Sequence, residues 1–179
     1  MTPRRLLGFT VAAVFATTLA GCATLHVYSF VERGADVSRY RTYDWAVEAP
    51  QPTGDPRLDS NPFFDDRVHM AVEKELARRG FEKSAAGEAQ LLLHYHARMT
   101  QEIDLGAADA DLAICSSCTP TVYDAGTLLI DLVDSRSEKL VWRGWAEGGL
   151  NDAIDSQDLM EAKIDETVRR IIEKLPGKS

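Results

Sequence analysis

Two segments of this 179-residue chain carry apolar residues at helical spacing, and the stretches between them carry apolar residues at strand spacing. That alternation restricts the fold more than any other feature. Phe64, Val68, Val72 and Leu76 recur every four residues, and Met160, Ile164, Val168, Ile171, Ile172 and Leu175 form a second stripe. A helix with one apolar face must bury it against another layer. Asn61-Pro62 is read as opening the first helix: Asn caps, Pro suits the first helical position, and Asp65 and Asp66 sit near the positive end of the dipole. Gly80 supplies a left-handed stop, with Phe81 folding back onto Leu76. Ser156 or Asp155 caps the second helix, which Pro176-Gly177 stops.

The layer those helices need is a sheet. Residues 25–32 are dense in β-branched and aromatic types, and Gly34 to Ser38 is a turn. Tyr43, Trp45 and Val47 alternate with polar residues as in a half-buried strand. Residues 49–60 contain three prolines and Gly54 and read as a loop. Residues 89–99 form a third strand, and 100–120 an acidic connection. Residues 122–133 and 140–146 form two more strands, joined by the polar turn Asp134 to Lys139 as a hairpin. The order ββαβββα predicts an α+β fold, a two-layer sandwich with a mainly antiparallel sheet and both helices on one face. Strand 126–133 is apolar at both alternations, so its second face needs cover from the 100–120 connection, a second copy or a partner. Asp131 interrupts that strand and requires a counter-charge, for which Arg143 on the neighbouring strand is the candidate. Trp142 and Trp145 fall on opposite faces because their separation is odd. One packs under the helices and the other is a candidate partner contact.

The N-terminus states an address. Arg4 and Arg5 precede the uncharged apolar run Leu6 to Ala20, and small residues lead into Cys22. This is the order of a secretory signal peptide, and the run is shorter than the roughly 20 residues a spanning helix needs. Leu19-Ala20-Gly21-Cys22 resembles the bacterial lipobox, which implies cleavage before Cys22 and acylation of that cysteine with three chains. Ala23, rather than Asp, implies the outer membrane within that resemblance. The other readings are an ordinary cleaved signal or a short anchor helix. Residues 1–21 are thus the expected signal, 22–24 a tether, and 22–179 a single periplasmic domain. Losing Arg4 and Arg5 leaves 18 Lys and Arg against 28 Asp and Glu, a net charge of −10. Such an acidic domain excludes nucleic acid and a second, electrostatic grip on anionic lipid, so attachment falls to the lipid on Cys22, here expected as the sole covalent group.

Chemistry-bearing motifs are few. Cys115 and Cys118 have the spacing of a redox dithiol, yet a strand rather than a helix follows them, so a structural disulfide is the favoured reading. Redox catalysis and free or metal-bound thiols are its alternatives. His94 and His96 alternate on one strand and share a face; with the two cysteines they are weak candidates for a zinc site. Otherwise they are polar residues on a solvated face. Glu102, Asp104, Asp109 and Asp111 make the connection acidic, but apolar Leu112 to Ile114 breaks any calcium-loop pattern. No nucleophile elbow, ordered triad or phosphate-binding glycine loop occurs, which argues for a protein that is not an enzyme.

Several segments together resemble a known family. They are Tyr40-Arg41-Thr42-Tyr43-Asp44-Trp45, then Asn61-Pro62 with the helix to Arg78-Arg79-Gly80-Phe81, and Gly126 to Asp134 followed by Leu140-Val141-Trp142-Arg143-Gly144. The chain resembles the bacterial lipoprotein family catalogued as domain of unknown function number 4136. The resemblance implies an envelope lipoprotein with an α+β sheet domain, and it brings no catalytic residues. The connection before the hairpin departs from the family pattern, carrying Cys115-Ser116-Ser117-Cys118 amid acids where Gly and Tyr are usual. The expectation is a non-enzymatic, lipid-anchored domain that binds or scaffolds an envelope protein or a second copy of itself. The alternatives are a small-ligand or metal-binding lipoprotein, or a thiol-redox protein using Cys115 and Cys118.

Overall fold

The computed structural model describes residues 25–47, 51–84, 87–104 and 121–177. Six strands form one sheet: β1 (His26–Val31), β2 (Thr42–Trp45), β3 (Glu82–Lys83), β4 (Leu91–Asp104), β5 (Thr121–Asp134) and β6 (Leu140–Gly149). Their spatial order is β1-β6-β5-β4-β2-β3. The helices are α1 (Pro56–Asp59), α2 (Phe64–Arg78) and α3 (Gln157–Glu173). The sheet is mixed. β1 to β4 are joined through β6 and β5 by antiparallel ladders, whereas β2 runs parallel to both β4 and β3.

The long ladders are antiparallel, as the mainly antiparallel expectation has it, and the two short parallel pairs are an addition whose cause is local. α2 lies between β2 and β4 in the chain, and a helix that packs on the sheet carries the chain back to the end where the previous strand began. A strand entered that way runs parallel to its predecessor. β3, only two residues long, is an edge fragment too short for sequence periodicity to register. β1 and β2, adjacent in sequence, lie four strand spacings apart, about 19 Å. Residues 32–41 span that distance with one 3-10 turn at Val37–Arg39, and Val37 is buried beneath it.

Burial parity sorts the two faces. Leu91 and Leu93 of β4, Ile130 and Leu132 of β5, and Trp142 of β6 are fully buried. They share one face, because Leu93 stands opposite Leu132, which stands opposite Trp142. Val68, Val72 and Leu76 of α2 and Val168, Ile171 and Ile172 of α3 bury the expected stripes in the same core. α2 starts later than its Asn61-Pro62 signal. Asn61 Oδ1 accepts from the Phe63 N–H at 2.9 Å in the turn before the helix, and Phe63 takes the cap position without a side-chain bond. Gly80, at φ 75°, ends the helix, and the Phe81 N–H donates to the Leu76 carbonyl at 3.0 Å. Ser156 caps α3, its Oγ accepting from the Leu159 N–H at 3.4 Å. The proline-rich stretch read as loop holds α1, one turn capped by Asp55, with Leu58 buried.

The β5–β6 turn is built on Asp134. Its Oδ1 accepts from the Ser137 N–H and Oγ–H at 2.8 Å each and from the Arg136 N–H at 3.2 Å, while Tyr40 donates to Oδ2 at 3.0 Å. These bonds, the Ser137 amide foremost, hold the carboxyl at about 2, below its ordinary 3.8. A carboxyl depressed by folding stabilises the native state above the unfolded value and loses that contribution as pH falls through the folded one. Urea unfolding of the wild type should therefore lose stability between pH 3.8 and about 2 more steeply than the Asp134→Asn variant does. At pH 6 the variant should be the weaker of the two; superimposable profiles would remove Asp134 from the acid response.

Candidate functional site

The second face of the sheet carries Tyr28 and Phe30 of β1, Arg143 and Trp145 of β6, Leu129 and Asp131 of β5, and His94 and His96 of β4. Tyr28 and Phe30 are 45% and 47% exposed, and Tyr28 stacks on Trp145 with ring centroids 5.3 Å apart. Trp145 and Leu129 are cross-strand partners and are both partly exposed. Asp131 is buried and takes both ends of the Arg143 fork, Nε to Oδ1 at 2.7 Å and Nη2 to Oδ2 at 2.6 Å. These bonds hold the Arg143 guanidinium above its ordinary range. The two tryptophans divide as their odd spacing requires: Trp142 is fully buried under the helices and Trp145 stands on this open face.

His94 and His96 share that face, with His94 opposite Asp131 and His96 opposite Leu129. Among the described residues no three His, Cys, Asp or Glu side chains converge as a metal-binding group. Cys22, Cys115, Cys118, Asp109 and Asp111 lie outside the described residues, as does the signal segment. Among the described residues no helix is long and apolar enough to cross a membrane.

On the helical side, a cavity of about 430 Å³ opens between the end of β2, the middle of β4, the first turns of α2 and residues 51–62. Sequence reading missed it. Beyond Trp45 the outer edge of β4 is met by residue 53 instead of a strand, the Met99 N–H donating to the Thr53 carbonyl at 2.8 Å. Asp59 Oδ1 fixes that segment, accepting from the Thr53 N–H at 2.7 Å and Oγ1–H at 2.8 Å. On the opposite wall, His69 of α2 stacks on Trp45 with centroids 3.8 Å apart and planes 7° from parallel. Tyr95 meets both rings edge-on, at 6.2 Å from Trp45 and 5.6 Å from His69. Its hydroxyl donates to Asp65 Oδ1, and burial followed by that bond raises the Tyr95 phenol well above its ordinary range. His69 Nε2 lies 3.7 Å from the same oxygen. Trp45 is held from behind, its Nε1–H donating to Glu73 Oε1 at 2.8 Å, where Lys83 also donates at 2.6 Å. Burial alone would raise the Glu73 carboxyl, but the Lys83 and Trp45 bonds outweigh it and leave it below its ordinary value. The available signal was the Asp65/His69 pair, one turn apart beside the α2 stripe. What it faces depends on strand order, which periodicity does not report.

The fold has solved counterparts. A PelC dodecamer from Paraburkholderia phytofirmans superposes with a TM-score of 0.53 at 10% identity, over 87% of this chain and 100% of its own. A PDZ domain protein from Parabacteroides distasonis superposes with a TM-score of 0.52 at 12% identity, over 86% of this chain and 37% of its own. Likeness at that identity concerns the fold alone. No curated protein matches the sequence. The model of the family described as Domain of unknown function (DUF4136) matches residues 27–177, which spans every strand and helix described above except the first residue of β1. The chain belongs to the DUF4136 family.

Proposed function

We propose that this protein is a lipid-anchored domain of the outer membrane that faces the periplasm and, without catalysis, binds or scaffolds another envelope protein through the open face of its sheet. The observation that supports this reading is the aromatic patch of Tyr28, Phe30 and Trp145, with Tyr28 and Phe30 nearly half exposed. Exposed aromatic side chains ringed by charged and polar groups, here Arg143, Glu147, His94 and His96, have the composition of an interface centre and its rim. The lipobox-like Cys22 supports the anchor, and it stands four residues before β1, so a lipid there would keep this patch close to the membrane.

A second copy of the chain is the alternative occupant. It is favoured by PelC, a protein of the same fold, being a dodecamer. The test is photo-crosslinking in intact cells from an unnatural residue at position 30, followed by mass spectrometry. One envelope protein joined in constant ratio supports the scaffold reading, self-crosslinks support assembly, and the absence of any adduct overturns both. Trp145→Ala should abolish the adduct while lowering the unfolding free energy by no more than about 1 kcal/mol, the worth of one aromatic pair. A thiol-redox role predicts instead that Cys115→Ser destroys function and Trp145→Ala spares it.

A further inference from the structure

We infer that the cavity between β2, β4 and the start of α2 binds a small organic cation carrying a primary or quaternary ammonium group. Its volume of about 430 Å³ lies within the range of small-molecule sites, roughly 300–1,000 Å³. Its charge is one-sided. Asp59 and Asp65 line it beside His69, His94 and His96, and among the described residues no Lys or Arg does. An anionic ligand would meet two carboxylates that repel it and no Lys or Arg; an ammonium would have both carboxylates as counter-charges, and a primary one could also donate hydrogen bonds to them.

Each carboxylate keeps an oxygen in reserve. Asp65 Oδ1 receives the Tyr95 hydroxyl and Asp59 Oδ1 receives Thr53, whereas the Oδ2 atom of each accepts no hydrogen bond from the described residues. The rest of the wall suits the same ligand. Trp45, Phe64 and Tyr95 line the cavity with aromatic surface, and a ring face attracts an ammonium through its quadrupole, more strongly where water is excluded. The wall is also held in place before any ligand arrives. Trp45 is fixed by its stack on His69 and its bond to Glu73, and Tyr95 by its bond to Asp65, so little side-chain freedom remains to be lost on binding.

The site lies on the helical side of the sheet, whereas Tyr28, Phe30 and Trp145, the aromatic patch proposed for docking, stand on the other face and none of them lines it. Its failure and the failure of that reading are therefore separable. The test is calorimetric titration of the full chain, purified in detergent, with choline and with putrescine, and with acetate and glucose as anionic and neutral controls. Saturable binding of an amine at one per chain is expected, with neither control bound. Asp65→Asn should weaken that binding at least tenfold, while Tyr95→Phe, which returns an oxygen of Asp65 to the cavity, should keep or tighten it. Trp145→Ala should bind with unchanged Kd. Failure of both amines to saturate overturns the inference, as does equal binding of glucose. Should Asp65→Asn not fold, Asp59→Asn and Tyr95→Phe decide the matter, and a Tyr95→Phe variant that loses the amine overturns it.

Discussion

Replacing Gly144 with alanine is expected to lower the unfolding free energy by about 2–3 kcal/mol, the cost of overpacking a filled core. A Cβ at Gly144 would lie 2.6 Å from Cζ2 of Trp142, closer still to its Cη2, and 2.6 Å from Cγ2 of Ile171 on α3. Trp142 is fully buried and cannot swing aside. The sign separates this account from the ordinary one. Glycine inside a strand is normally a liability of about 0.5–1 kcal/mol relative to alanine, so without the collision the substitution would stabilise. Trp142→Phe shortens the ring that collides and removes an indole N–H that has no hydrogen-bond partner among the described residues. The double variant should therefore recover at least about 1 kcal/mol relative to the sum of the single changes. Urea unfolding of the four proteins measures this directly, and an alanine variant as stable as wild type would sink it.

Arg143→Ala should destabilise by about 2–3 kcal/mol, because it leaves the Asp131 carboxylate buried without its partner. Asp131 is 6% exposed, whereas the Arg143 side chain is 41% exposed. Solvent reaches the guanidinium end of the pair, which places the effect below the about 3–5 kcal/mol of a wholly buried pair. The same asymmetry orders the single variants. Asp131→Ala leaves an arginine that can turn to water, so it should cost less than Arg143→Ala. Asp131→Leu combined with Arg143→Met, which removes both charges and keeps apolar volume, should return most of the loss. If Asp131→Ala proves the more damaging single change, the pair does not work as its burial implies.

The contacts behind these two predictions account for the hairpin motif as well. In Val141-Trp142-Arg143-Gly144, the tryptophan fills the core, the glycine makes room for it, and the arginine answers Asp131 on the opposite face. Val141 is buried and unmatched in the β5–β6 register, which passes from Leu132–Trp142 to Val133–Leu140. It is the extra residue of a bulge, a feature that needs a paired strand to define it.

Local patterns were enough for α2, α3 and five of the six strands, because a helical stripe or an alternation of apolar residues is set by neighbours within a few positions. The Asp131–Arg143 pair and the division of Trp142 from Trp145 were legible for the same reason, since a two-residue period assigns each side chain its face. Asn61 misled by two residues because it caps the turn before α2, not the helix. Tertiary structure alone decided which strands are neighbours. It put three strands between β1 and β2, turned β2 parallel to β4, and brought Tyr95 to Asp65 across 30 residues of sequence. Pairing of distant strands depends on the packing of the whole chain, which a run of a few residues does not encode. The open aromatic face and the carboxylate-lined cavity both arise from such pairings. The amino-acid pattern determined the parts and the faces they bury; their arrangement, and with it the two sites, was decided by the fold.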